Sequence, residues 1–253
     1  MTTRSVESSP QLYARLGGLL YLILIILGFF GQYVLGKVIV SDNAAATAVN
    51  ISSMESLWRL GIAAEIVALI CVTCLAAIYF LLLRPVSREL NLLATFLRFV
   101  GIAVEAVVTL DLVGALLPLG KTASLKAFTQ EQLYALTNLA LKSHGQGYAL
   151  ALLFFGACFL IHGHLIFKSG FLPKTLGVLI QIAGTCYLTN SFAVYLAPAF
   201  ADQIFPAILL PAFFGEASLC LWLLLKGVNV ERWNEQARAE RSPDVLNEQA
   251  IVL

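Results

Sequence analysis

The sequence predicts an all-α fold: a polytopic transmembrane bundle of six helices with both termini on the cytoplasmic side. Three observations predict it. The chain of 253 residues is 59% hydrophobic and only 12% charged, with a mean hydropathy of +0.85. A water-soluble domain carries about twice that charge. Six apolar stretches are each long enough to cross a bilayer, which takes about 20 helical residues. Lys and Arg are shared unevenly between the two sets of connecting segments, the pattern that orients membrane helices. The stretches lack the polar alternation of a membrane β-barrel, and helices then satisfy the backbone in hydrocarbon.

The spans read, in order, as Leu12–Gly36, Leu57–Leu83, Leu92–Pro118, Gln146–Phe167, Leu176–Leu196 and Ile204–Leu225. Residues 1–11 form a cytoplasmic N-terminal segment, 12–226 the membrane domain and 227–253 a cytoplasmic tail. The first apolar run is too long for a signal-peptide core and no clean small-x-small site follows it, so it is expected to stay as the first span. Ser41 and Asp42 are placed to cap a short Ala-rich helix through about Asn50. Arg84-Pro-Val-Ser-Arg-Glu89 and Lys168-Ser-Gly-Phe-Leu-Pro-Lys174 turn the chain tightly, making hairpins of spans two–three and four–five. Thr129-Gln-Glu-Gln132 is a capping box opening a short helix through about Lys142. Leu133, Leu136 and Ala140 share one of its faces, which suits a helix lying on the outer interface. Span six contains Pro206 and Pro211, and Pro211 is expected to kink it by freeing the carbonyl near Ala207. The tail is helix-compatible, then turns polar and breaks at Pro243, so it is expected to be partly disordered. Tyr33, Trp58, Tyr148 and Tyr195 fit an interfacial aromatic belt.

With the N-terminus inside, inner segments hold ten basic residues: Arg4, Arg15, Arg84, Arg88, Lys168, Lys174, Lys226, Arg232, Arg238 and Arg241. Outer segments hold four: Lys37, Lys121, Lys126 and Lys142. The imbalance sets the orientation. A net charge of +1 gives no electrostatic reason to expect a nucleic-acid partner.

Two strings stand out, Gly61-Ile-Ala-Ala-Glu65 and Gly101-Ile-Ala-Val-Glu105. Each puts a carboxylate inside a span, where ionisable groups are costly and mark functional interiors. Counting along the spans sets Glu105 near mid-depth and Glu65 about 8 Å nearer the outside. Each glycine lies one turn from its glutamate, letting a neighbouring helix approach. The pair reads either as an inverted repeat or as chance similarity between Ala-rich helices. Arg98 shares a face with Glu105, and reads either as part of the same pocket or as a snorkelling side chain. Glu216 lies on span six beside the expected kink. Asp111, His144 and Asn190 map to the outer third, where they would join Glu65 at the mouth. Their spacing carries no metal signature, and no metal or cofactor is assigned. His162 and His164 sit on different faces near the cytoplasmic end and read as interface anchors. Asn190 and Gln181 also suit hydrogen bonding between helices. The five cysteines all fall within spans and read as small packing residues. No nucleophile elbow, phosphate loop or dinucleotide fingerprint appears, so no catalytic residue is assigned.

An ordered series of stretches resembles the bacterial domain-of-unknown-function family 4386. They are Ala14-Arg-Leu-Gly-Gly-Leu-Leu-Tyr21, Asp42-Asn-Ala-Ala-Ala-Thr47, Leu57-Trp-Arg-Leu-Gly-Ile-Ala-Ala-Glu65 and Leu81-Leu-Leu-Arg-Pro-Val86. Phe154-Phe-Gly156, Ser169-Gly-Phe-Leu-Pro173, Leu176-Gly-Val-Leu179 and Gly215-Glu216 follow. The resemblance implies a six-helix, multi-pass protein of the bacterial cytoplasmic membrane. It brings no established activity and so no catalytic residues. His162 and His164 stand where it implies apolar or aromatic residues.

The leading functional expectation is a non-enzymatic membrane protein. It would bind or move a small polar or amphipathic ligand, a proton or a cation. The pocket is placed at Glu65, Glu105 and Glu216, lined by Arg98, Asp111, His144 and Asn190. One alternative is an accessory subunit that docks a membrane partner through Glu231–Arg241, and self-association stays open. The other is a lipid-modifying enzyme using Glu65, Asp111 and His144. The expected partners are the lipid bilayer and a small-molecule or lipid ligand.

Overall fold

A computed structural model describes residues 9–251, which leaves Arg4 of the charge count outside the described residues. The elements are helices α1 (Pro10–Val38), α2 (Ala44–Ser53), α3 (Glu55–Leu83), α4 (Arg88–Gly114), α5 (Gln130–Lys168), α6 (Lys174–Leu196), α7 (Pro198–Ile204), α8 (Leu210–Leu225) and α9 (Val230–Ile251). No strand occurs among the described residues. Six helices are long and apolar enough to cross a membrane, and the chain is a multi-pass helical membrane protein. α1, α3, α4, α5, α6 and α8 form the bundle, closed by α1 packing on both α3 and α8. The end carrying Pro10 and α9 is called the tail end below, and the opposite end, with α2 and α7, the far end.

Local chemistry sets most helix starts. Pro10 opens α1, where its missing N–H costs nothing. The Ser87 side chain accepts from Leu90 N at the start of α4. Thr129 and Gln132 form the expected reciprocal capping box on α5. At α2 the cap is Asn43, whose Oδ1 accepts from Ala46 N at 2.9 Å, while Asp42 takes a left-handed φ of 57°. Ser41 and Asp42 therefore form the turn and not the cap.

Three further expectations are corrected. The helix opened by Thr129 does not stop near Lys142; it runs on as the 39-residue α5. At ~1.5 Å per residue it is about 58 Å long, far more than a bilayer core of about 30 Å. Contacts with α4 and its end hold the glycine-bearing stretch 143–147 helical: Thr137 Oγ1 donates to Ala115 O, and His144 Nδ1 lies 3.0 Å from Val108 O. Span six is short and has no interior kink, because Pro211 sits in the first turn of α8, where proline is tolerated. α9 runs through Pro243 to Ile251, where a break was expected.

α9 also spends its docking face on its own bundle. Trp233 Nε1 donates to Leu82 O at 2.9 Å, Gln236 Nε2 to Ser169 O at 2.7 Å, and Arg232 Nη1 to Gly170 O at 3.1 Å. Arg84 pairs with Glu240 at 3.4 Å. The tail thus ties the α3–α4 turn to the α5–α6 turn. Trp233→Ala removes the central tie, and amide hydrogen exchange over residues 230–240 is expected to quicken while the middle of α3 keeps its protection. Unchanged exchange in α9 would show that Trp233 does not hold it.

Candidate functional site

Two hydrogen bonds set the register of the antiparallel α3–α4 pair. Trp58 Nε1 donates to Leu112 O at 3.0 Å, and Asn91 Nδ2 donates to Phe80 O at 2.7 Å. Trp58 is therefore an interior tie rather than a belt residue, with 2% exposure. Seven residues on from Trp58 is Glu65, and seven back from Leu112 is Glu105. The two carboxylates therefore stand level, with Glu105 in electrostatic range of Glu65. The expected 8 Å offset disappears, because α3 begins at Glu55 and α4 ends at Gly114, shifting both spans.

The twin glycines serve different neighbours. A Cβ at Gly61 would meet Val34 of α1, whereas one at Gly101 would meet the Phe155 ring and Ala151 O of α5. Glu65 faces α1 at Gly31, and His144 lies in its electrostatic range. The His144 ring stacks on Tyr148 at 6.3 Å. His144, Glu65 and Glu105 thus form a layer nearer the far end, with Tyr148 on its inward side and not in a lipid-facing belt. Asp111 is half-buried in the last turn of α4, and no hydrogen bond or ion pair joins it to His144 or Glu65. Asn190 is buried on α6 with its Oδ1 unpartnered, one turn beyond Tyr187.

Glu216 does not join that pair. It belongs to a second layer nearer the tail end, where Tyr21 of α1 donates to it at 2.8 Å and Tyr187 of α6 donates to its other oxygen. Arg98 lies seven residues, or about 10 Å, from Glu105 along α4. It does not snorkel: it is 3% exposed, with its guanidinium carbon 5.3 Å from the Tyr79 ring centroid and 5.4 Å from that of Phe159. His162 is not an interface anchor either. It is buried, its ring lies 5.3 Å from that of Tyr79, and its Nδ1 lies 3.5 Å from Cys158 Sγ. His164, two residues on, is exposed. Tyr148 and Tyr187 connect the layers, since each lies in electrostatic range of both Glu105 and Glu216.

Tyr21, Tyr79, Tyr187 and His162 were missing from the sequence-derived site. For Tyr21 and Tyr187 the signal was position, since a tyrosine far from a span end puts a hydroxyl in hydrocarbon, where it needs a partner; Tyr79 and His162 lie near span ends and gave no such signal. Among the described residues no three His, Cys, Asp or Glu side chains converge as a metal group.

Residues 16–227 match the family described as Domain of unknown function (DUF4386). The chain belongs to the DUF4386 family. A protein of Archaeoglobus fulgidus described as uncharacterized is 32% identical over 162 residues, which cover 64% of this chain and 80% of that one. No solved structure matches. The DUF4386 region contains every side chain of both layers and ends at Gly227, before α9.

Proposed function

We propose that this DUF4386 protein binds or moves a small polar or amphipathic ligand, with or without a proton, through the interior of its bundle. One observation carries the reading: ionisable side chains form a column inside the bundle, from His144 through Glu65, Glu105, Tyr148 and Tyr187 to Glu216. A structural bundle has no need of this many such groups, each costly in hydrocarbon. The imbalance of ten basic residues against four supports a cytoplasmic tail end, and the reading places the protein in a bacterial cytoplasmic membrane. The column does not favour an enzyme, because Asp111 stands apart from Glu65 and His144.

The test is Glu65→Gln with Glu105→Gln in proteoliposomes, read by proton flux with an internal dye and by native mass spectrometry of bound species. The double variant is expected to change one or both. A variant that gains thermal stability while both readouts stay at wild-type values would overturn the reading.

A further inference from the structure

We propose that Arg98, Tyr79 and His162 form a binding site for an oxyanion, a carboxylate or phosphate group, in the tail-end half of the bundle. The inference rests on the reading that the interior takes a ligand, and it names the ligand's chemistry.

Three polar atoms in this cluster are buried without a hydrogen-bond partner: Arg98 Nε, Tyr79 Oη and His162 Nε2. They come from α4, α3 and α5, and their side chains touch through the Arg98–Tyr79 and Tyr79–His162 ring contacts. Leaving a buried donor unmatched costs about 1–3 kcal/mol, more when it is charged. The chemistry of the three is uniform. Arg98 Nε is a donor only. The Tyr79 hydroxyl has its hydrogen free to donate. Cys158 Sγ lies 3.5 Å from His162 Nδ1. In the proposed site the Cys158 thiol donates to Nδ1, which leaves the ring proton on Nε2 and makes that atom a donor as well.

A site with three donors, one permanently cationic, matches a group that only accepts and carries negative charge. An alcohol offers acceptance at one oxygen and needs an acceptor for its own proton. A cation is repelled by Arg98. No direct ion pair holds Arg98 among the described residues: both oxygens of Glu216, which lies in electrostatic range, are engaged by Tyr21 and Tyr187 and not by the guanidinium. Around the donors the walls are apolar, with Leu75, Leu82 and Phe159 all buried. The anionic group arrives either at the head of a membrane amphiphile or as a free ion.

The experiment uses the full chain in nanodiscs of phosphatidylcholine alone, probed with palmitate, lysophosphatidate, inorganic phosphate and, as an uncharged chain of equal length, hexadecanol. Palmitate or lysophosphatidate is expected to bind with one-to-one stoichiometry if the source is the membrane, and inorganic phosphate if it is the aqueous phase. Either result supports the site. Arg98→Met is expected to weaken the bound probe about 30-fold or more, and Tyr79→Phe or His162→Phe about 3- to 10-fold each. Replacing a buried charge by an apolar chain of similar volume is tolerated by folding, and Arg98→Lys is expected to restore part of the affinity. His164→Phe, on the exposed face, leaves binding unchanged. Hexadecanol binding as tightly as palmitate, with Arg98→Met neutral, would overturn the oxyanion site while leaving the broader ligand reading intact. Failure of every probe to bind would overturn it too, and the Glu65 and Glu105 variants would still judge the broader reading.

Discussion

Gly177→Leu is expected to lower the midpoint of thermal unfolding in detergent by roughly 6–12 °C, the equivalent of about 3 kcal/mol for a chain of this size. The cause is backbone contact between α5 and α6. A Cβ at Gly177 would lie 2.6 Å from Gly163 O and 2.6 Å from Phe167 N, and a Cβ at Gly163 would lie 2.6 Å from Gly177 O. Gly156 and Gly184, seven residues away on each helix, meet in the same way. These obstacles are main-chain atoms that cannot swing aside, so the helices must part. Leucine is a better helix former than glycine by about 1 kcal/mol, which works against the loss but does not cancel it. The matched control is Gly145→Leu on α5, where a Cβ meets nothing within 4 Å. That variant keeps the propensity gain without the clash and is expected to hold or slightly raise the midpoint. Equal effects at the two positions would show that close packing of α5 on α6 is not what these glycines provide.

Glu216→Leu is the second large effect. It strands the Tyr21 and Tyr187 hydroxyls without their acceptor, at about 1–3 kcal/mol each. Glu216→Gln keeps one acceptor oxygen and is expected to lose less. The triple variant that also carries Tyr21→Phe and Tyr187→Phe removes the stranded groups, and is expected to recover most of the loss when compared with Glu216→Leu and with the Tyr21→Phe, Tyr187→Phe pair. Recovery would locate the cost in the hydroxyls. If the phenylalanines only add to the loss, the three side chains do not act as a unit, and the tie between α1, α6 and α8 rests on packing alone.

The spans were legible because a run of apolar residues has one stable form in hydrocarbon, a helix with its backbone bonds closed. The capping box at Thr129 was legible because it is a local bond between residues three apart. The end of the helix that it opens was not. α5 continues because Thr137 and His144 reach carbonyls at Ala115 and Val108, contacts that no local rule contains. The reading of Pro211 as a kink assumed one helix from Ile204; α8 instead starts at Leu210, after a 3-10 turn at Ala207–Leu209, so no α-helical carbonyl lies four residues before the proline. Glu65, Glu105 and Glu216 were legible as costly buried groups, but their grouping was not. Glu65 and Glu105 became a level pair through the Trp58 and Asn91 bonds, while Glu216 went to the tyrosines.

The sequence by itself determined that this is a six-helix membrane protein of the DUF4386 family with ionisable groups in its interior, since both follow from residue type and order along the chain. Only the tertiary structure decided that Arg98 and His162 are buried partners of Tyr79 and that a polar atom of each of the three lacks a hydrogen-bond partner. The physical reason is that burial and hydrogen-bond satisfaction depend on which helix faces meet, and that meeting is set by glycines and long-range bonds between helices that lie far apart in the chain.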